Sequence, residues 1–261
     1  MPYAEVNGAS LYYQQNGNGP DIVFLHGAGG NHLSWWQQLA FFGERFRCTA
    51  FDARGWGLSR GDMSVGRFAL GTDLVGLLDH LEIRHTHVIA QSMGGRAVAG
   101  LIRQSPERIR SIVLSGTTAG ATNDRIRELQ DELRAERGGA SLRDFSLTDT
   151  FEKEQPALAT LYRQINALNP RRPAQFLGRP PRNYRGSMHG SIIATGAPVL
   201  FVVGEYDKIT SPELIREAHQ LVGGSRMHQV LDSGHSAYFE KPSEFNHVVS
   251  EFFADIETGR S

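Results

Sequence analysis

The chain is poorest in cysteine: Cys48 is its only one, so no disulfide can form within the molecule. A lone thiol fits a reducing compartment, and its place in the apolar run 46–51 marks it as a small core side chain. Long apolar runs are missing too. No stretch approaches the roughly 18 residues a membrane span needs. The first residues, Met1-Pro2-Tyr3-Ala4-Glu5, lack the charged-then-apolar pattern of a secretory leader, and a cytoplasmic location is expected. There is no excess of charge of one sign. Lys and Arg total 27 against 28 Asp and Glu, a net charge of −1, with the basic residues scattered rather than clustered. Nucleic acid is therefore not an expected partner. No group of His, Cys and Asp has metal-ligand spacing, and neither a dinucleotide glycine pattern nor a Walker lysine is present. The expectation is a protein without metal or cofactor, a monomer or homodimer, acting on a small molecule.

What remains is an ordinary globular composition, 40% hydrophobic, long enough for one large α/β domain or a core with an insertion. Asn7-Gly8 is a strong hairpin turn between two short strands, the second carrying Leu11, Tyr12 and Tyr13. Runs at 21–26, 46–52, 87–91, 109–115 and 199–204 are apolar without alternation, as strands buried on both faces should be. A weaker strand is expected at 226–231. Helical spacing lies between them. Ser64 is expected to cap a helix with Phe68, Leu74, Leu78 and Leu81 inward, and Ser211-Pro212 and Lys241-Pro242-Ser243 start two more. Alternation of strand and helix gives a doubly wound, mostly parallel sheet of eight strands. The rhythm fails at 119–195, where no convincing strand occurs and helices are expected at 125–137 and 156–168. This divides the chain into a core, 1–118 and 196–261, and a helical cap, 119–195.

Chemistry concentrates at Ala90-Gln91-Ser92-Met93-Gly94-Gly95, between a strand and a helix of small residues. Gly94 and Gly95 leave room for a tight turn that lifts Ser92 off the strand end beside the next helix's N–H groups. A serine hydroxyl needs a base to take its proton. Of ten histidines, His235 has the fitting setting, the small-residue loop Asp232-Ser233-Gly234-His235-Ser236 between the last strand and the last helix. Asp207, in Gly204-Glu205-Tyr206-Asp207-Lys208, is the expected orienter of that histidine; Glu205 is the competing acid. Backbone N–H groups of Ala28, in His26-Gly27-Ala28-Gly29-Gly30, and of Met93 are the candidates for holding an oxyanion. His26 is expected to brace its loop.

The order Ser, Asp, His, with a glycine-rich loop upstream, resembles the α/β-hydrolase superfamily over essentially the whole chain. Asp52-Ala53-Arg54-Gly55-Trp56-Gly57-Leu58-Ser59 and Glu240-Lys241-Pro242 match further family pieces, and Ala90 stands where the family usually has glycine. The resemblance is to the small capped esterases, enol-lactonases, cofactor-free haloperoxidases and carbon–carbon bond hydrolases. It implies a serine hydrolase of a small, largely apolar ester or lactone. The carbon–carbon hydrolases have a tryptophan soon after the histidine, whereas Ser236-Ala237-Tyr238-Phe239 follows here, and all three tryptophans precede residue 60. A triad-bearing ligand receptor is a third reading. Trp35, Trp36, Tyr238 and the cap aromatics Phe145, Phe151, Tyr162, Phe176 and Tyr184 are candidate pocket walls, with core packing as the alternative for each. Arg96, one helical turn past Ser92, can meet a substrate carboxylate or belong to a structural ion pair. His189, where the cap returns to the core, is a further candidate.

Overall fold

The computed structural model describes residues 2–172, 176 and 186–259. Tyr184 lies outside them. The first hairpin, β1 (Tyr3–Val6) and β2 (Ala9–Asn16), turns at Asn7 and Gly8, both with positive φ. The buried runs then form β3 (Asp21–Leu25), β4 (Arg47–Phe51), β6 (Thr86–Gln91), β7 (Ile109–Ser115), β8 (Val199–Gly204) and β9 (Arg226–Val230). The sheet order is β1-β2-β4-β3-β6-β7-β8-β9. The pairs from β4 through β9 are parallel, and the hairpin closes one side antiparallel. A ninth, two-residue strand, β5 (Arg60–Gly61), pairs with β2 beyond the eight expected.

Alternate side chains of the central strands feed two cores. Val23, Leu25, Val88, Ala90, Phe201 and Val203 point to one face, covered by α2 (Ala69–His80), α3 (Gly94–Gln104) and α8 (Pro212–Leu221). Ile22, Phe24, Ile89, Leu200 and Val202 point to the other, covered by α1 (Trp36–Phe42) and α10 (Pro242–Glu257). Each central strand thus buries apolar area on both sides, which is why its sequence shows no alternation.

One helix start differs from expectation. Ser64 does not cap α2; its hydroxyl and N–H both go to the carboxylate of Asp62, and a 3-10 turn at Gly66–Phe68 intervenes. The helix begins at Ala69, so Phe68 is 48% exposed while Leu70, Leu74, Leu77 and Leu78 are buried.

Between β7 and β8 the described residues contain helices and no strand: α4 (Asp124–Glu136), α5 (Asp149–Glu154), α6 (Pro156–Ala167) and α7 (His189–Ala194). α4 buries Ile126, Leu129 and Leu133 on the α2/α3/α8 side, while Phe151, Ala159 and Ile165 of α5 and α6 join the opposite core. The insertion therefore straddles the carboxyl edge of the sheet.

Candidate active site

Four loops meet at that edge, after β3, β6, β8 and β9, where a wound parallel sheet gathers its ligands. Ser92 directly follows β6 with φ +48°, in the left-handed region that a non-glycine residue occupies only at a cost. Its N–H is held by the Ser115 carbonyl at 2.9 Å, and the chain turns at once into α3. Hypothetical Cβ atoms on Gly94 and Gly95 would fall 2.4 Å from the Leu25 carbonyl oxygen and 2.4 Å from Thr117 Oγ1, so the turn has space for neither.

His235 Nδ1 lies 2.7 Å from Asp207 Oδ2. A carboxylate only accepts, so Nδ1 carries the proton that joins the pair. Asp207 is 3% exposed, and its other oxygen accepts from the N–H groups of Ile209 and Thr210, both at 2.8 Å. Those bonds fix the carboxylate's orientation. Glu205 turns away and accepts from the Asp232 N–H at 3.0 Å, so the competing acid is not beside the ring. Gly116, just after β7 with φ +58°, is the floor under the pair: a Cβ there would lie 3.0 Å from the His235 ring and 3.2 Å from Asp207 Oδ2.

The link between Ser92 and the histidine loop runs through Gln91, which sequence reasoning missed. Its amide donates to the His235 carbonyl at 3.2 Å. The side chain fits because residue 27 has no Cβ; one there would sit 1.8 Å from Gln91 Oε1 and 3.3 Å from Ser92 Cβ. Nothing local in the sequence marks this role, since it depends on three loops converging. Among the described residues, Ser92 Oγ has no hydrogen bond to His235.

The N–H groups of Ala28 and Met93 have no acceptor among the described residues. Ala28 is pinned from behind, its carbonyl taking the Trp56 indole N–H at 2.7 Å. His26 braces the same loop: Nδ1 bonds the Gly27 carbonyl, and Nε2 accepts from the Ala53 N–H. Burial pulls its pKa down, which keeps it neutral as a strut.

The insertion grips the loops that carry Ala28 and His235. Asn169 donates to the carbonyls of Gly29 and Gly30 and accepts from the Gly57 N–H, while Asn31 donates to the Ile165 carbonyl. Tyr162 places its hydroxyl 2.8 Å from Ser236 Oγ, one residue past His235, and 4.0 Å from where a Cβ on Gly29 would stand. Glu240 ties Gly234 to the insertion: Oε1 accepts from the Gly234 N–H, and Oε2 from both the N–H and hydroxyl of Thr148. Burial raises its pKa, against those three donors.

Several candidate wall residues lie elsewhere. Trp35 and Tyr238 are packed together in the core, ring centroids 4.5 Å apart, at 0% and 2% exposure. The sequence could not separate them from a wall, because an aromatic after a catalytic loop suits either place. Trp36 is 43% exposed at the start of α1. His189 bonds Ser187 within its own turn. Phe151 packs on Phe239, and Phe176 is edge-on to Trp56 at 5.3 Å. Phe145 is half-buried in a 3-10 turn at Leu142–Phe145. Arg96 is in no ion pair among the described residues. No group of three or more His, Cys, Asp or Glu among the described residues can hold a metal, and no helix there is long and apolar enough to cross a membrane.

A strained serine at a strand–helix turn and a histidine–aspartate pair at the same edge of a mostly parallel wound sheet are the arrangement of an α/β hydrolase. The family model for the alpha/beta hydrolase fold matches residues 20–242, and the chain belongs to that family. Its curated relatives include BpoC of Mycobacterium tuberculosis strain H37Rv, assigned by name as a non-heme bromoperoxidase, 28% identical over 95% of this chain and 99% of that one. The 3-oxoadipate enol-lactonase 2 of Acinetobacter baylyi is 25% identical over 88% of this chain and 87% of its own. Among solved structures, the enol-lactonase of Burkholderia xenovorans LB400 superposes with a TM-score of 0.73 at 22% identity, covering 97% of this chain and all of that one. An N-acyl homoserine lactone degrading enzyme, Est816, gives 0.77 at 23% identity over 96% and 100%.

Proposed function

We propose that the protein cleaves a small carboxylic ester or lactone through an acyl-enzyme on Ser92. The observation that carries this is the Asp207–His235 pair, set on the same sheet edge as the strained Ser92 turn. Ser92 Oγ attacks the carbonyl carbon and passes its proton to His235 Nε2. Asp207 holds Nδ1–H and stabilises the imidazolium that forms. The carbonyl oxygen, now negative, takes hydrogen bonds from the Ala28 and Met93 N–H groups. As the tetrahedral centre collapses, the C–O bond to the leaving group breaks and His235 returns the proton to that oxygen. Water then repeats the sequence, releasing the acid and restoring Ser92. The residues 119–195 act as a cap that shapes the acyl pocket, with Tyr162 in its wall.

The test is labelling with a fluorophosphonate, followed by turnover of short p-nitrophenyl esters and simple lactones. One adduct on Ser92 is expected, absent in Ser92→Ala, with turnover falling by several orders of magnitude while the protein stays folded. An adduct on another serine overturns the assignment. Rapid consumption of a ring-cleavage dienoate with esters untouched moves the reaction to carbon–carbon cleavage. A ligand that raises Tm without any turnover points to a receptor.

A further inference from the structure

One polar side chain of the insertion takes no part in its anchoring. Asn166, on α6, is 7% exposed, yet its side chain makes no hydrogen bond among the described residues, and Oδ1 is buried without a partner. A primary amide brings two donors and an acceptor, and burying it unbonded is costly. The two other buried asparagines among the described residues are both bonded. Asn31 meets the Ile165 carbonyl and the Leu33 N–H, and Asn246 meets Gln38.

Folding does not explain the exception. The turn that carries Asn166 is held from either side of it, by Asn31 on the Ile165 carbonyl at 2.8 Å and by Asn169 on the Gly29 and Gly30 carbonyls at 3.1 Å each. The amide adds nothing to that hold. An apolar residue of the same size would fill the place and leave no polar group unmet.

Its position points to a ligand. A Cβ on Gly29 would stand 2.7 Å from Asn166 Nδ2 and 4.0 Å from the Tyr162 hydroxyl. Tyr162 and Asn166 are one helical turn apart on α6 and share a face. That face sets one hydroxyl, already bonded to Ser236, toward the loop of His235, and one unbonded amide against the loop of Ala28. Gly29 follows Ala28 directly, and a Cβ on Gly27 would lie 3.3 Å from Ser92 Cβ. The chain from Gly27 to Gly29 spans at most about 7 Å, which puts the amide within reach of a substituent two or three carbons along an acyl chain on Ser92.

The amide also narrows the chemistry of that substituent. An ionised carboxylate would lose its hydration there with no charge on the amide to offset the loss. An alkyl group would leave the amide as unmet as before. A hydroxyl both donates and accepts, so it suits whichever end of the amide turns toward the site. We propose that Asn166 is a hydroxyl subsite, and that the preferred substrate is an ester or lactone with a hydroxyl on the second or third carbon of its acyl chain, the carbonyl carbon being the first. This rests on the serine-hydrolase reading and gives its acyl group one polar contact.

Methyl 3-hydroxybutanoate and methyl 3-methylbutanoate differ only in a hydroxyl against a methyl group, as do methyl 2-hydroxypropanoate and methyl 2-methylpropanoate, and methanol release follows all four. In at least one pair, Asn166→Leu should lower kcat/KM for the hydroxy ester by about 10-fold, the value of one hydrogen bond, and change its methyl counterpart by less than about 3-fold. The Tm of Asn166→Leu should hold or rise, because leucine removes an unmet amide. Asn166→Ala, which leaves the place open, should show the same split between the esters. Equal effects within both pairs overturn the subsite, and so does a lower Tm in Asn166→Leu, which would give the amide a structural role. Calorimetric titration of the four esters into Ser92→Ala separates this proposal from the reaction itself. Tighter binding of a hydroxy ester that disappears in Ser92→Ala with Asn166→Leu upholds the subsite even if no ester turns over, and equal affinities overturn it.

Discussion

At the scale of single residues, strain and the proposed chemistry coincide at Ser92. Its φ of +48° costs roughly 1–2 kcal/mol for a residue with a Cβ. Ser92→Gly should therefore raise thermal stability, by up to about 1 kcal/mol after glycine's larger unfolded-state entropy, while removing turnover. A melting temperature at or below the wild type's would show that the turn is not strained. Asp207→Asn should leave the fold intact and lower kcat by roughly 10⁴-fold, as in serine proteases where the amide stabilises the wrong histidine tautomer. Much of this was legible. Ser92, Asp207 and His235 each follow a strand, and small residues surround two of them, so local spacing sufficed to place all three at one sheet edge. Gln91 and Asn169 were not legible, because each acts on a loop far away in sequence, and for Glu240 the distant half of its role, at Thr148, was hidden for the same reason. Trp35 and Tyr238 were misleading for the opposite reason: their packing partner is each other, 203 positions apart.

At the scale of elements, the strands were read nearly to the residue because burial on both faces leaves an unbroken apolar run. Helix starts were less secure. Ser64 has the composition of a cap, but Asp62 sits two residues before it and takes both donors. The α2–α3 contact makes its own prediction. Gly100→Ala puts a methyl against Gly71 backbone, and stability should fall by about 1–3 kcal/mol in urea unfolding. An unchanged midpoint would mean that the helices move apart freely. The β6–α10 packing carries a pH signature. His87 lies in the core, its ring 4.3 Å from Phe253, with Nδ1 on Ser111 Oγ and Nε2 buried without a partner. Burial, reinforced by Arg110, brings its pKa down to about 4. Its folded value is below the unfolded one, so the stability it confers is complete above about pH 6.5 and is lost as pH falls towards 4. The loss is on the order of 3 kcal/mol. His87→Gln should flatten the acid side of the stability curve over that window, and an unchanged slope would remove His87 as its source.

At the scale of the whole molecule, the insertion is fastened to the loop of Ala28 by Asn169 and Asn31, and to the loop of His235 by Tyr162 and Glu240. Glu240→Ala frees Thr148 and Gly234 together. A displacement of the histidine loop by even 1 Å should lower kcat by about 10- to 100-fold with little change in the melting of the sheet. Normal kcat would show that the loop holds its place unaided. These anchors have a consequence for how the enzyme can diversify. On the proposed mechanism, the posts that carry the insertion are the same groups that aim the catalyst, so turnover itself constrains their identity. The wall between the posts is under no such constraint. New substrates are therefore reached by rewriting the span and leaving its footings alone, and a graft of a foreign span onto Asn31, Asn169 and Glu240 should inherit a working catalyst.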